Sequence, residues 1–208
     1  FDAKVLVEAL KAANERGEHD FGQHVLPHLK ETHRLFAYDF ATNKVPGTKP
    51  YEEPAYWRDV GTRDAYFNAH QDLMGEMPRF DMFNPQWRIF SSNYQGPVAR
   101  LMDAKVYNSV IAAGSMVRQA TIVNTIIRRE VTIEDDVEIE DCLIQDYVHI
   151  KRGARLRRAI IGGYNVIEAG TRIGYDIEQD RQLYQVTQGG ITVVGPREVT
   201  SAMRAFSE

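Results

Sequence analysis

The chain has 208 residues, 43% of them hydrophobic and 26% charged, with a formal net charge of −4. These values suit a soluble globular protein, exclude a disordered tail or a collagen-like rod, and give no global sign of a nucleic-acid partner. No apolar run approaches the roughly 18 to 20 residues that a membrane helix needs. The opening residues do not read as a secretory signal. The single cysteine, Cys142, can form neither an internal disulfide nor a cysteine-rich zinc site, so a reducing, cytoplasmic setting is expected.

The sequence opens at Phe1. An aromatic residue directly before a helix cap reads as the end of a strand, which suggests a piece cut from a longer protein. Asp2 is a candidate N-cap for an amphipathic helix to about Asn14, with Val5, Leu6, Ala9 and Leu10 on one face and Gly17 beyond its end. A second, short helix is predicted after Asp20, with Phe21, Val25, Leu26 and Leu29 on one side. Leu35–Phe40 alternates enough for a strand. Residues 43–54, rich in proline and polar residues, form a loop. A third helix begins after Thr62, with Ala65, Tyr66, Ala69 and Leu73 in helical spacing and Gly75 as its C-cap. Residues 85–97 read as an extended linker. Seven of the eight prolines and both tryptophans fall before residue 100.

Residues 104–174 lack proline and helical period. Apolar residues recur every six positions: Val110, Met116, Ile122; then Val131, Val137, Leu143; then Val148, Ala154, Ile160, Val166. Many have an apolar partner two residues on, as in Val131/Ile133 and Val137/Ile139. Such a hexapeptide period predicts a parallel β-helix of about four triangular coils of roughly 18 residues. Val131, Val137, Val148, Ala154, Ile160 and Val166 are expected to point inward. Gly114, Asp135, Asp136, Gly153 and Gly170 fall where corners belong, and phase slips follow Ile122 and Leu143. After Gly174 a short helix over 175–183 is expected, then a last strand in 189–195 after a tight turn.

Tyr56-Trp57-Arg58-Asp59-Val60-Gly61-Thr62 is the densest chemical cluster. On a strand, Trp57 and Asp59 share one face. An indole beside a carboxylate suits a sugar, and the carboxylate can also hold Mg²⁺. The bland alternative is a core Trp57 and a capping Asp59 paired with Arg58. His19-Asp20-Phe21-Gly22 again combines an acid, an aromatic and glycine, or is simply a cap and staple. His24 and His28 have the spacing of a helical metal pair within the group His19, His24, His28 and His33. Pro27 interrupts that helix, and no cysteine or acid completes the set. Residues 151–158 carry five basic side chains. They read either as an anion site or, given Glu134, Asp135, Asp136, Glu138, Glu140 and Asp141 nearby, as a solvated face of mixed charge.

Taken in order, His19–Gly22 with Val25-Leu26-Pro27, Tyr56–Thr62, the hexapeptide region, Arg155–Ile161 and Gly189–Val194 resemble the glucose-1-phosphate adenylyltransferases. The resemblance implies an α+β remnant of an α/β nucleotidyltransferase domain over 1–84, a linker over 85–103, and a left-handed β-helix domain with a C-terminal strand over 104–208. It implies an enzyme of glycogen biosynthesis that makes ADP-glucose and pyrophosphate from ATP and glucose 1-phosphate with Mg²⁺. By position in the motifs, Asp20, Phe21 and Trp57 would hold the sugar phosphate, and Asp59 would be catalytic as a Mg²⁺ ligand. Gln23 stands where the family commonly has lysine. The family's glycine-rich nucleotide loop is not in this sequence, so the chain alone is expected to be inactive. The resemblance further implies a homo-oligomer, a tetramer in the family and at least a dimer here. A phosphorylated metabolite is the expected effector, met by Arg128, Arg129, Arg155, Arg157 and Arg158.

Three rival readings compete with this one. A hexapeptide acyltransferase would need an active-site histidine, and only His149 lies in the repeats. A β-helix carbonic anhydrase would need three histidine ligands, which the repeats lack. A non-catalytic assembly and regulatory module is the third.

Overall fold

The computed structural model describes residues 1–90 and 93–198. They divide into two units, one over residues 1–43 and the other over the described residues from 44 to 198. In the first unit, helix α1 spans Ala3–Glu15, and the Asp2 carboxylate accepts from the amides of Lys4 and Val5, satisfying donors that the first turn leaves free. Asp20 caps a wide π-type turn, Phe21–Val25, that runs into α2, Leu26–Thr32, where Pro27 sits harmlessly in the first turn. The helices close on Ala13, Val25 and Leu29, with Val5 and Ala9 against them.

The strand expected at Leu35–Phe40 does not form. Phe36 and Tyr38 are 84% and 73% exposed, and the segment ends in a 3₁₀ turn, Phe40–Thr42, capped by Asp39. Alternation makes a strand only where a neighbouring strand takes the backbone hydrogen bonds, and none is paired here.

In the second unit, α3 spans Arg63–Gln71, with the Thr62 hydroxyl accepting from the Ala65 amide. It ends before Gly75, so Gly75 is not its cap. Among the described residues fourteen strands follow: β1 (Arg100–Met102), β2 (Lys105–Tyr107), β3 (Val110–Ile111), β4 (Met116–Arg118), β5 (Thr121–Val123), β6 (Ile126–Ile127), β7 (Thr132–Ile133), β8 (Glu138–Ile144), β9 (His149–Ile150), β10 (Arg155–Ile161), β11 (Val166–Ile167), β12 (Arg172–Ile173), β13 (Gln185–Val186) and β14 (Thr192–Val194). The first of them lies inside the stretch read as linker.

All strand pairs but one are parallel and build a solenoid of about four coils with three faces. One face stacks β1, β4, β7, β9 and β11. A second stacks β2, β5, β12 and the first halves of β8 and β10. The third stacks β3, β6, β14 and the second halves of β8 and β10. Thr132 pairs with His149 and His149 with Val166, a step of 17 residues. Arg100, Met116 and Thr132 are 16 apart. The coil is thus slightly shorter than three hexads: in the 16-residue coils the step from the first face to the second is five residues, as from Met116 to Thr121, and in every coil the step from the second face to the third is five, as from Glu138 to Leu143. The short step onto the third face is the cause of the phase slips.

The same step moves two expected core residues outward. Val131, Val137, Val148 and Ala154 are inward and almost fully buried, but on the third face the inward residues are Cys142 with Ile144 and Ala159 with Ile161. Ile160 and Leu143 point out of the solenoid and bury against Phe67 of α3 and Ile191. Val166 faces solvent at 37% exposure, as does Met116 at 41%. The third face is apolar on both sides because a helix covers it, which erases the alternation a half-buried strand would show.

Positive-φ residues mark the corners in columns: Asp103, Gln119, Asp136, Gly153 and Gly170; Asn108, Asn124, Asp141 and Arg158; Gly114, Glu130, Tyr147 and Tyr164. Asparagine, aspartate and glycine tolerate this conformation, whereas arginine, glutamine and tyrosine are strained in it. Helix α4, Ile177–Leu183, and the antiparallel pair β13–β14 close the far end. There the buried carboxylate of Asp180 accepts from the Gly174 amide and the Thr192 hydroxyl, both at 2.7 Å. Gly174 has φ +83, and a Cβ there would overlap the carbonyl oxygen of Arg157. Among the described residues, no helix is long and apolar enough to cross a membrane.

Candidate functional site

The segment Tyr56–Thr62 is an irregular loop rather than a strand. Arg58 decides its shape. The guanidinium donates to both Glu53 oxygens at 2.9 and 2.5 Å and, through Nε, to Asp72 at 2.7 Å. It also lies 4.4 Å over the Tyr56 ring, which stacks on Phe80 at 5.1 Å. Hydrogen bonding to Glu53 raises the Arg58 pKa above its ordinary value, and the same bond holds the Glu53 carboxyl below its own. Such a charge-assisted, planar clamp fixes direction as well as distance.

With Arg58 turned inward, its two neighbours turn outward. Trp57 is 68% exposed, so it is not the core residue of the bland alternative. Asp59 is exposed and not paired with Arg58. Its Oδ1 accepts from the Gly61 amide at 2.8 Å, a local turn that fixes the carboxylate three residues before the α3 cap, Thr62. An indole and a carboxylate are thus each exposed on the short loop that leads into the N-terminal end of a helix.

In the first unit, Asp20 Oδ1 accepts from the Gln23 amide at 2.6 Å, and Nδ1 of His24 accepts from the Asp20 amide at 3.2 Å. The Phe21 ring meets Phe1 edge-on at 5.5 Å. Asp20 and Phe21 thus stand at one turn of the first unit, and Trp57 and Asp59 at one turn of the second. His28 is drawn to Glu18 at 3.3 Å. Among the described residues, no group of three or more His, Cys, Asp or Glu side chains could hold a metal ion. Mg²⁺ at phosphoryl-transfer sites takes one or two carboxylates along with substrate phosphates and water. Asp59 fits as one such ligand and does not make a whole site.

The five arginines separate. Arg128 binds Asp146 at 2.9 Å, and Arg129 approaches it at 3.7 Å; Arg129 also lies 5.4 Å over the Tyr94 ring. Arg155 pairs with Asp136 and Glu138, each at 3.2 Å, and Arg157 with Glu140 at 3.4 Å. Arg158 donates to the Gly189 carbonyl at 3.0 Å. The mixed-charge reading therefore describes the 155–157 stretch in this structure. The coil spacing of 17 brings these pairs together and could have disclosed them in the sequence. An open cleft of about 770 Å³ lies between α3 and the third face, lined by Arg63, Tyr66, Gln145, Tyr164 and Arg181 among others, and by none of the five arginines. His149 is held by Glu134 at 2.7 Å. The Glu134 carboxyl lies below its ordinary pKa, chiefly through the Arg152 amide and then through His149.

Fold and family matches together define a class: part of a nucleotidyl transferase domain joined to a hexapeptide solenoid. Residues 1–76 match the family described as nucleotidyl transferase, and residues 98–194 match GlmU-like, C-terminal hexapeptide. Within that class the chain is similar to the glucose-1-phosphate adenylyltransferases. It is 45% identical to the enzyme of that name from Thermodesulfovibrio yellowstonii over 93% of its own length and 47% of the relative's. It is 37% identical to that of Deinococcus radiodurans over 91% and 47%, and 34% identical to that of Corynebacterium jeikeium over 96% and 50%. The chain spans about half the length of these relatives.

Proposed function

We propose that this chain contributes the sugar-phosphate side and the solenoid of an enzyme that converts ATP and glucose 1-phosphate to ADP-glucose and pyrophosphate, for glycogen biosynthesis. The observation that carries this reading is the similarity over nearly the whole chain to enzymes named for that reaction. The outward pair Trp57 and Asp59 supports it. The indole offers an apolar face to the pyranose ring, and Asp20 and Phe21 provide a second acid–aromatic turn for the same substrate. Attack by a sugar-phosphate oxygen on the α-phosphorus of ATP is governed by alignment and charge neutralisation. When bound, Mg²⁺ neutralises charge on the reacting phosphates; Asp59 would be one of its ligands. Arg58 keeps that carboxylate facing the substrate side. Arg128, Arg129, Arg155, Arg157 and Arg158 are the proposed contacts for a phosphorylated effector, which at four of them would compete with a carboxylate already in place. Homo-oligomeric assembly and a cytoplasmic location, where ATP and a reduced Cys142 belong, complete the proposal.

The test is an ADP-glucose assay on a protein of family length that carries this chain, with the chain alone as the comparison. The chain alone is expected to make no ADP-glucose. Asp59→Asn should lower kcat by roughly 10²- to 10³-fold, as loss of one well-placed electrostatic group does. Trp57→Ala and Asp20→Ala should mainly raise KM for glucose 1-phosphate. Undiminished turnover in Asp59→Asn would remove the metal assignment, and failure of the family-length protein to accept glucose 1-phosphate would remove the function.

A further inference from the structure

The Trp57–Thr62 loop is held at both ends by different parts of the second unit. Its start is clamped by Arg58. Its end runs into α3, whose first turn meets the C-terminal hairpin: the Thr187 hydroxyl donates to Asp64 Oδ1 at 2.7 Å, across 123 residues of sequence. The Thr187 hydroxyl oxygen in turn accepts from the Ile191 amide at 3.1 Å, and the Gly190 amide reaches the Thr187 carbonyl at 3.1 Å. Thr187 therefore belongs to the hairpin and to the helix contact at once. Gly189 lies so close that a Cβ there would overlap Asp64 Oδ1. Its carbonyl is held by Arg158, a residue kept at a strained φ of +45.

The apolar contact of Phe67 with Leu143, Ile160 and Ile191 presses α3 onto the solenoid, but apolar contact is non-directional. It leaves rotation and slide of the helix weakly determined. A hydrogen bond fixes an angle, and the Asp64–Thr187 bond sits in the first turn, next to the Thr62 cap and the Asp59 turn. We propose that Thr187 is a positioning residue for the sugar-phosphate loop: through Asp64 its hydroxyl sets the first turn of α3 and hence the presentation of Trp57 and Asp59. The role assigned to the loop rests on the proposed function; the mechanical link does not.

The experiment uses this chain with Trp87→Phe, so that Trp57 is the remaining indole, and compares Thr187→Val, Asp64→Ala, their combination and Thr187→Ser. Amide hydrogen exchange at Gly61, Ala65 and Tyr66 should speed up by about 5- to 30-fold in each of the first two. The combination should be no faster than either alone, as coupled residues behave. Trp57 emission should become more accessible to a soluble quencher, and Thr187→Ser should restore both readings. Exchange in Glu138–Ile144 should not move. Should Thr187→Val fail to fold, Asp64→Ala decides, because it leaves the hairpin's own bonds intact. Wild-type exchange at 61–66 in Asp64→Ala, or additive effects in the combination, would overturn the proposal. Neither readout depends on turnover, so an enzyme with another substrate would leave the positive result standing, and normal ADP-glucose synthesis would not rescue a negative one.

Discussion

The solenoid and the loops between residues 44 and 98 dispose of apolar side chains in opposite ways. Ile122, Ile133, Ile144 and Ile150 are completely buried, while Trp57, Phe83 and Phe90 are 68%, 71% and 92% exposed. In the solenoid every inward residue finds its neighbour one coil away, so each repeat supplies the burial its neighbours need. The loops have no such periodic partner and are pinned by polar side chains instead. Asn84 donates to the Pro46 carbonyl at 2.8 Å and accepts from the Gln86 amide at 3.0 Å, and Glu52 accepts from the Lys49 and Asp81 amides. One region is stabilised by area removed from water, the other by directed bonds. The second kind is what a site needs when an indole and a carboxylate must face outward.

The sharpest way to break this contrast is a matched pair of truncations. Ile139→Ala should cost about 2–5 kcal/mol, for lost burial plus the cavity left behind, whereas Phe83→Ala should stay within about 0.5 kcal/mol. Denaturant unfolding checks both, and equal costs would end the distinction. Next, Asp180→Ala leaves the Gly174 amide and Thr192 hydroxyl unpaired in a buried place and should cost about 1–3 kcal/mol. If the solenoid loses stability by neighbour contacts, this opening should appear first in hydrogen exchange near α4 and β14.

Smaller effects sharpen the picture. Gln119 sits at φ +38 in a column otherwise made of aspartate and glycine, so Gln119→Gly should stabilise by about 1 kcal/mol, seen as a raised Tm. The smallest effect concerns Glu134. Its folded pKa lies below the usual 4.5, so its contribution is present above that value and lost as pH falls through the depressed folded pKa. Glu134→Gln should therefore be less stable than wild type at pH 6 and indistinguishable from it at pH 2, measured by unfolding at both.

The sequence carried the solenoid unusually far, because i/i+2 pairs such as Val137/Ile139 and Ala154/Leu156 need no knowledge of distant residues. It misled at Ile160 and Val166, where a uniform six-residue count passes over the five-residue step before the third face. The alternation at Leu35–Phe40 had no paired strand behind it. Around the candidate site, the motif Tyr56–Thr62 was visible, but its conformation was not. Arg58 is clamped by Glu53 and Asp72, and nothing local distinguishes those acids from surface carboxylates. Thr187 and Asp64 had no signal at all at a separation of 123 residues.

The difference between 16- and 17-residue coils resides at one corner. From Met116 to Thr121 the chain takes five steps, while from Thr132 to Glu138 and from His149 to Arg155 it takes six. That edge of the prism thus absorbs single-residue insertions and deletions without disturbing either adjoining face. The domain's height, by contrast, changes only in whole units, because adding or removing one coil shifts every later strand by a single strand spacing of about 4.8 Å. Two members of such a lineage that differ by 17 residues in this region would differ in how far apart the prism holds its two ends, while every face kept its chemistry.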